Sequence, residues 1–280
     1  MGTPMALNLL KAGTELVVWN RTSDKAAGLG APVARTPADL FAACDIVLMM
    51  LADGVAIDAV LDRGSADFSS RVGGRLIVHM GTTSPDYSRA LAEDIRAAGG
   101  RYAEAPVSGS RKPAEAGQLI AMLAGEEEDI ALLRPLLAPL CRQTVFCGPV
   151  PQGLAMKLAV NIFLLTTVTG LAETVHFAAR QGLDLEVLAS VLNEGQMASA
   201  ISKLKIAKLV EGDFAPHAAI ADVAKNGALI AEAARTAKIA VPLLSVCDAL
   251  YGEAVTLGHG AEDMAAVVAA IAARDAMIAE

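Results

Sequence analysis

Apolar residues in this chain recur in two rhythms, and the change between them falls near residue 150. Before it, short continuous apolar runs alternate with longer amphipathic ones. The short runs are Glu15-Leu-Val-Val-Trp19, Asp45-Ile-Val-Leu-Met-Met-Leu51, Arg75-Leu-Ile-Val-His79, a segment near Arg101–Glu104, Leu119-Ile-Ala-Met-Leu-Ala124 and Thr144-Val-Phe-Cys147. They read as strands, and uninterrupted apolar stretches of this length suit a parallel sheet covered on both faces. Helices are expected over 4–12, where Pro4 sits in the first turn and Gly13 is the stop, and over 23–28, 36–43, 54–61, 85–98 and 127–137. A loop is expected from 105 through Lys112. Beyond the turn Gly148-Pro-Val-Pro-Gln-Gly153 every pattern is helical. The order predicts a Rossmann-type, doubly wound α/β domain over 1–152, followed by an all-α domain over 153–280.

The first helix of the second part is the longest pattern in the chain. From Gly153-Leu-Ala-Met-Lys157-Leu-Ala-Val-Asn161 an apolar run continues to about Gln181 without a proline. At about 1.5 Å per residue it would cross some 40 Å, a whole domain. Asn161, Thr166, Thr167 and Thr169 interrupt it, so it reads as a buried helix and not a membrane span. Hydrophobic residues make up 54% of the chain but aromatics only 4%, which favours closely packed helices over an aromatic sheet core. The net charge of −8 offers no global basic field to nucleic acid or an anionic membrane. An anionic ligand must therefore be met by a local cationic pocket. The four cysteines and four histidines show neither CxxC nor HExxH spacing, so no metal is expected. The first residues already read as helix, which implies no signal peptide and a cytoplasmic location.

Three stretches carry candidate chemistry. Lys157 and Asn161 are four apart and project from one helix face, and lysine is rarely buried without a partner. A lysine there also fits a snorkelling residue at a domain edge. The strand ending in Trp19-Asn20-Arg21-Thr22 has no carboxylate before Asp24. At this station of a dinucleotide fold an acidic residue favours NAD, whereas an arginine accommodates the 2′-phosphate of NADP. Taken alone, Arg21 also fits a solvated turn. Met1-Gly2 precedes a helix of the kind whose N-terminus holds a pyrophosphate, but no strand comes before it.

Met1-Gly2, Asn20-Arg-Thr22, Met49-Met-Leu51, Gly81-Thr-Thr-Ser-Pro85, Glu104-Ala-Pro-Val-Ser-Gly-Ser110 and Gly153-x3-Lys157-x3-Asn161 follow one another in order. With this series the chain resembles the β-hydroxyacid dehydrogenase family over essentially its whole length. The run from Glu104 to Gln118 is most similar to the glyoxylate and succinic semialdehyde reductase branch. The resemblance implies that Ser108, Gly109 and Ser110 hold a substrate carboxylate, that Lys157 donates and accepts the proton, and that Asn161 orients the substrate. It implies a cofactor site of Met1, Gly2, Asn20, Arg21, Thr22, Met50, Leu51, Thr83 and Lys225. The chain departs from the family at Pro151, at Asn226 and at Ala218. The last two imply a pocket that is less acidic and roomier.

The expectation is an NADPH-dependent reductase of small aldehyde or 2-oxo acids, with NAD the less favoured cofactor. Its partner is a small carboxylate-bearing substrate and a second copy of itself in a homo-oligomer, not nucleic acid or a membrane. The alternative is a non-catalytic paralogue acting as a scaffold. The absence of a first strand and of a Gly-x-Gly turn leads to a further expectation. The native protein would begin about ten residues upstream, and the sheet would show a gap or a repair where that strand belongs.

Overall fold

The structure, a computed structural model, describes residues 1–278. The chain forms two compact units, Met1–Lys157 and the residues from Leu158 onward. The first unit is built on six strands: β1 (Ile46–Met49), β2 (Leu76–His79), β3 (Arg101–Glu104), β4 (Val107–Ser108), β5 (Leu119–Ala124) and β6 (Cys141–Gly148). They lie in the order β1-β2-β3-β5-β4, with β6 paired to β5. β1, β2 and β3 are parallel and in continuous register, Ile46 opposite Leu76 and Leu76 opposite Arg101. β5 runs antiparallel to β3 and β4 but parallel to β6.

Side chains alternate across a sheet, and both faces are covered here. Leu76, Val78 and Ala103 join Met5, Leu9, Leu133 and Leu137 in one core cluster, while Ile77 and Tyr102 join Phe41, Ile57, Leu91 and Ile95 in another. That is why the strands read as continuous apolar runs. The helices Pro37–Ala43, Gly54–Leu61 and Pro85–Ala97 start where Thr36, Asp53 and Ser84 accept backbone N–H bonds in their first turns. Between Leu61 and Leu76 a short helix, Phe68–Val72, escapes the pattern because five residues carry too little periodicity.

Several expectations need correction. Glu15–Trp19 is not a strand. Its only sheet-like pairing is the isolated bridge between Val18 and Val33, made by Val18 N–H to Pro32 O and Ala34 N–H to Val18 O. A strand exists only through its neighbours, and among the described residues β1 has no strand on its side away from β2. The helix expected over 23–28 shrinks to a 3₁₀ turn, Ser23–Lys25, with Gly28 at φ 80° beyond it. The helix expected from Pro4 begins at Gly2, since a proline in the first turn lacks only an N–H that would go unused. The expected loop over 105–112 contains β4 and the start of helix Arg111–Glu115. β6 begins at Cys141, earlier than expected, because exposed Arg142 and Gln143 hid it from an apolar count.

Helix Gln152–Arg180 starts in the first unit and continues into the second. It is the only one among the described residues long and apolar enough to cross a membrane. Its Leu158, Leu165, Val168, Ala172 and Val175 instead form part of the second unit's core, with Ile206, Ile230, Leu244, Leu250 and Tyr251. Thr166 and Thr174 donate to the carbonyls of Ile162 and Gly170, which lets hydroxyls sit on an apolar helix.

Gly153 shows how tightly this helix is seated. A Cβ there would lie 2.8 Å from Met122 O and 2.9 Å from Glu104 Oε2, whereas at Gly170 it would meet nothing within 4 Å. Gly153→Ala should therefore destabilise the protein by about 1–3 kcal/mol through overpacking. Gly170→Ala should stabilise it by about 0.5–1 kcal/mol through helix propensity. Urea unfolding of the two variants checks the pair, and equal effects would contradict the packing described.

Candidate active site

The parallel strands β1 and β2 end side by side, and ligands of open α/β sheets sit beyond such ends. Met50 and Leu51 follow β1, and Thr83 follows β2. The two loops approach so closely that a Cβ on Gly81 would stand 2.7 Å from Leu51 O. Thr83 is 5% exposed, and its hydroxyl is buried with no hydrogen-bond partner. A buried hydroxyl left unpaired costs about 1–3 kcal/mol, so this one is poised for a partner from outside the chain.

A second cluster lies where the Val18–Val33 bridge joins two segments. A cavity of about 380 Å³ is lined there by Trp19, Asn20, Arg21, Ser23, Val33, Ala34, Arg35, Thr36 and Pro37. The Asn20 side chain accepts from Thr22 N–H at 2.9 Å and fixes the turn. Arg21 and Arg35 are exposed, and neither is ion-paired among the described residues. Two unpaired guanidiniums beside hydroxyls and an apolar wall fit a phosphate joined to an aromatic base. Sequence reasoning missed Arg35, Ser23 and Thr36 because they precede a helix start and belong to no motif. The signal was the missing counter-charge.

Ser108 ends β4 opposite Ile120, Gly109 turns at φ 127°, and Ser110 precedes helix Arg111–Glu115 without capping it through its side chain. A side chain at Gly109 would also strike Leu119, 2.7 Å away. The turn therefore requires glycine, and it leaves two serine hydroxyls uncommitted. Met1 and Gly2 stand exposed at the start of helix Gly2–Lys11.

Lys157 lies in the second turn of Gln152–Arg180, partly buried, with no carboxylate bonded to it among the described residues. Burial pulls its pKa down to about 8. An ammonium with that pKa gives up and regains a proton near neutrality. Asn161, one turn on along the same helix face, is 2% exposed and belongs to the second unit. Lys225 lies in that unit too, half-buried on helix Ile220–Ala237. About one turn of helix before Lys157, Glu104, which the sequence showed only as the start of a motif, is fully buried with its carboxylate against the N–H groups of Gly153 and Leu154.

Comparison with known proteins identifies the family. Residues 1–148 match the family described as the NAD binding domain of 6-phosphogluconate dehydrogenase, and residues 151–271 that described as NAD-binding of NADP-dependent 3-hydroxyisobutyrate dehydrogenase. Glyoxylate/succinic semialdehyde reductase 2, chloroplastic, of Arabidopsis thaliana is 33% identical over 98% of this chain and 77% of its own length. The protein named cytokine-like nuclear factor N-PAC of Aedes aegypti is 31% identical over 94% of this chain, which spans only 48% of that relative. Mycobacterium tuberculosis 3-hydroxyisobutyrate dehydrogenase, solved with L-serine, superposes with a TM-score of 0.85 at 25% identity, covering 97% of this chain and 95% of that one. With nicotinamide-binding families matched over both units and a reductase aligned over 98% of this chain, the chain belongs to the β-hydroxyacid dehydrogenase family and is an NAD(P)-dependent oxidoreductase.

Proposed function

We propose that the protein reduces small aldehyde or 2-oxo acids with NADPH, using Lys157 as the general acid. The observation that carries this reading is the unpaired Lys157 ammonium, with its pKa lowered to about 8 by burial. A bound nicotinamide cofactor supplies the hydride. Arg21 and Arg35 would meet the 2′-phosphate and Asn20 and Thr22 the ribose, while Leu51, Met50 and the Thr83 hydroxyl border the nicotinamide. Met1 and Gly2 would face the pyrophosphate. Ser108, Gly109 and Ser110 would hold the substrate carboxylate, and Asn161 its carbonyl. As charge builds on the carbonyl oxygen, Lys157 delivers a proton to it, which avoids a free alkoxide. Stopped-flow NADPH oxidation against a panel of semialdehydes and 2-oxo acids tests the substrate class.

We also propose a homo-oligomer. Met156, Val160, Phe163 and Phe177 lie exposed along one long helix, with Phe163 72% accessible, and exposed apolar surface of this kind suits a second copy. A non-catalytic scaffold is the second reading, favoured by the relatives named as nuclear factors. It predicts no turnover with any member of the panel.

Lys157→Met should lower the reduction rate by about two to four orders of magnitude, the usual worth of a general acid, with little change in NADPH affinity. A variant keeping more than about a tenth of wild-type turnover would remove Lys157 from the chemistry. The pH dependence has a definite sign. The proton donor is the ammonium, so the reduction rate should be level below pH 7 and fall as pH rises through about 8. Oxidation of the hydroxy acid needs the free amine and should rise over the same range.

Arg21→Ala and Arg35→Ala should each weaken NADPH binding by about ten- to a hundred-fold, the worth of a charge-assisted phosphate contact, and leave NADH nearly untouched. Cofactor titration followed by fluorescence checks this. Equal losses for both cofactors would make the arginines structural.

A further inference from the structure

The first unit contains a chain of buried polar side chains that the chemistry above does not use. His79, Ser88, Tyr102 and Glu104 are each 0–1% exposed. They come from β2, from helix Pro85–Ala97 and from alternate positions on β3, which share one face of the sheet. His79 Nδ1 lies 3.0 Å from the Tyr102 hydroxyl, which lies 2.7 Å from Ser88 Oγ, which lies 2.5 Å from Glu104 Oε1. The other carboxylate oxygen accepts Leu154 N–H at 3.0 Å, and the Gly153 N–H also bonds this carboxylate. No lysine or arginine is ion-paired with Glu104 among the described residues. Its charge is met only by a serine hydroxyl and by the N-terminal N–H groups of the 29-residue helix that bears Lys157.

Each hydroxyl in the chain has one proton, so the carboxylate sets the direction of every bond. Ser88 donates to Glu104, and Tyr102 must then donate to Ser88. Tyr102 has no proton left for His79, so the His79 Nδ1–H donates to the tyrosine oxygen. Burial lowers the His79 pKa to about 4, so the ring is neutral at pH 7. Its Nε2 is then a bare lone pair, buried and with no partner. That nitrogen lies under Gly81, 3.3 Å from where a Cβ would stand.

We infer that Glu104 is a positioning residue for proton transfer: its buried carboxylate fixes the first turn of the helix that carries Lys157, and the Ser88–Tyr102–His79 chain holds that carboxylate ionised and in place. The inference rests on Lys157 being the proton donor. Geometry gives the reason that position matters, because a misplacement of about 1 Å can cost about a hundred-fold in rate.

Glu104→Gln keeps the shape and removes the charge. Its amide oxygen can still accept from Leu154, so its NH₂ must donate to Ser88. The chain then reverses, and His79 moves its proton to Nε2. Only four histidines are present, so ¹⁵N-labelled histidine and long-range proton–nitrogen correlation spectra resolve the ring. The expected result has three parts. Wild-type His79 is the Nδ1–H tautomer and the variant the Nε2–H form. kcat falls at least about ten-fold. The Kd for NADPH stays within about two-fold. An unchanged tautomer, or a flip with unchanged kcat, overturns the inference. A fall in kcat accompanied by an equal loss of NADPH affinity marks a merely structural role and overturns it too. If Glu104→Gln does not fold, Ser88→Ala removes the donor alone and should lower kcat several-fold at constant NADPH Kd, and full activity there overturns the inference. Failure of the underlying reading is separable: Lys157→Met would then remain active, whatever tautomer His79 adopts.

Discussion

A carboxylate buried without a cation is the constraint from which much of the first unit follows. An isolated charge in a protein interior costs several kcal/mol unless hydrogen bonds replace its water. Glu104 obtains them from Ser88 and from the open N–H groups of Gly153 and Leu154, where the helix dipole adds further stabilisation. Burial still raises its pKa, so the replacement is incomplete. The arrangement dictates glycine at 153, since a methyl group there would press on the carboxylate itself. It also explains why the compact unit ends at Lys157, a turn or so into a helix that otherwise serves the second unit. The anchored first turn belongs to the sheet.

The second unit handles the same problem with a cation. Asp263, fully buried, takes Lys205 Nζ at 2.6 Å on one oxygen and the N–H groups of His217 and Ala218 on the other. Lys208 is similarly committed to Asp213 and to the carbonyls of Asp213 and Ala215. Together these bonds hold residues 213–219 at the entrance to helix Ile220–Ala237, the helix of Lys225. The depressed pKa of Asp263 follows from these donors, which outweigh its burial. Ion pairs of this kind break at high cost when one partner is removed, so they fix geometry whatever their net contribution to stability.

The sequence made local structure legible and long-range pairing illegible. Strands β1, β2 and β5 announced themselves through runs such as Ile46–Met49 and Leu119–Ala124, because both of their faces are covered. The bounds of Gly54–Leu61 and Glu127–Leu137 were readable to the residue. Glu15–Trp19 failed because alternation describes a segment, whereas a strand needs a neighbour. Lys157, Asn161 and Arg21 could be singled out from spacing. Arg35 could not, because its meaning comes from lining the same cavity as Arg21. Glu104 was seen only as the first letter of a motif, since its partner Leu154 lies 50 residues away. Residues that act through neighbours distant in the chain leave no periodic trace.

Lysine makes the same point within one residue type. Lys157, Lys205 and Lys208 all lie in helices beside apolar residues, and composition cannot rank them. The structure separates them by what each ammonium touches. Lys205 and Lys208, 1% and 4% exposed, are paired with acids and spend their donors on holding a loop. Burial also depresses Lys205, but Asp263 opposes the shift. For Lys157 burial acts unopposed, and its pKa falls to about 8. A fold selected for stability alone gains nothing from an ammonium left in that state, since a paired or apolar side chain would cost less. A cation kept partly dry and unpaired among the described residues, on a helix whose start is fixed by a buried carboxylate, is what the proposed proton transfer requires.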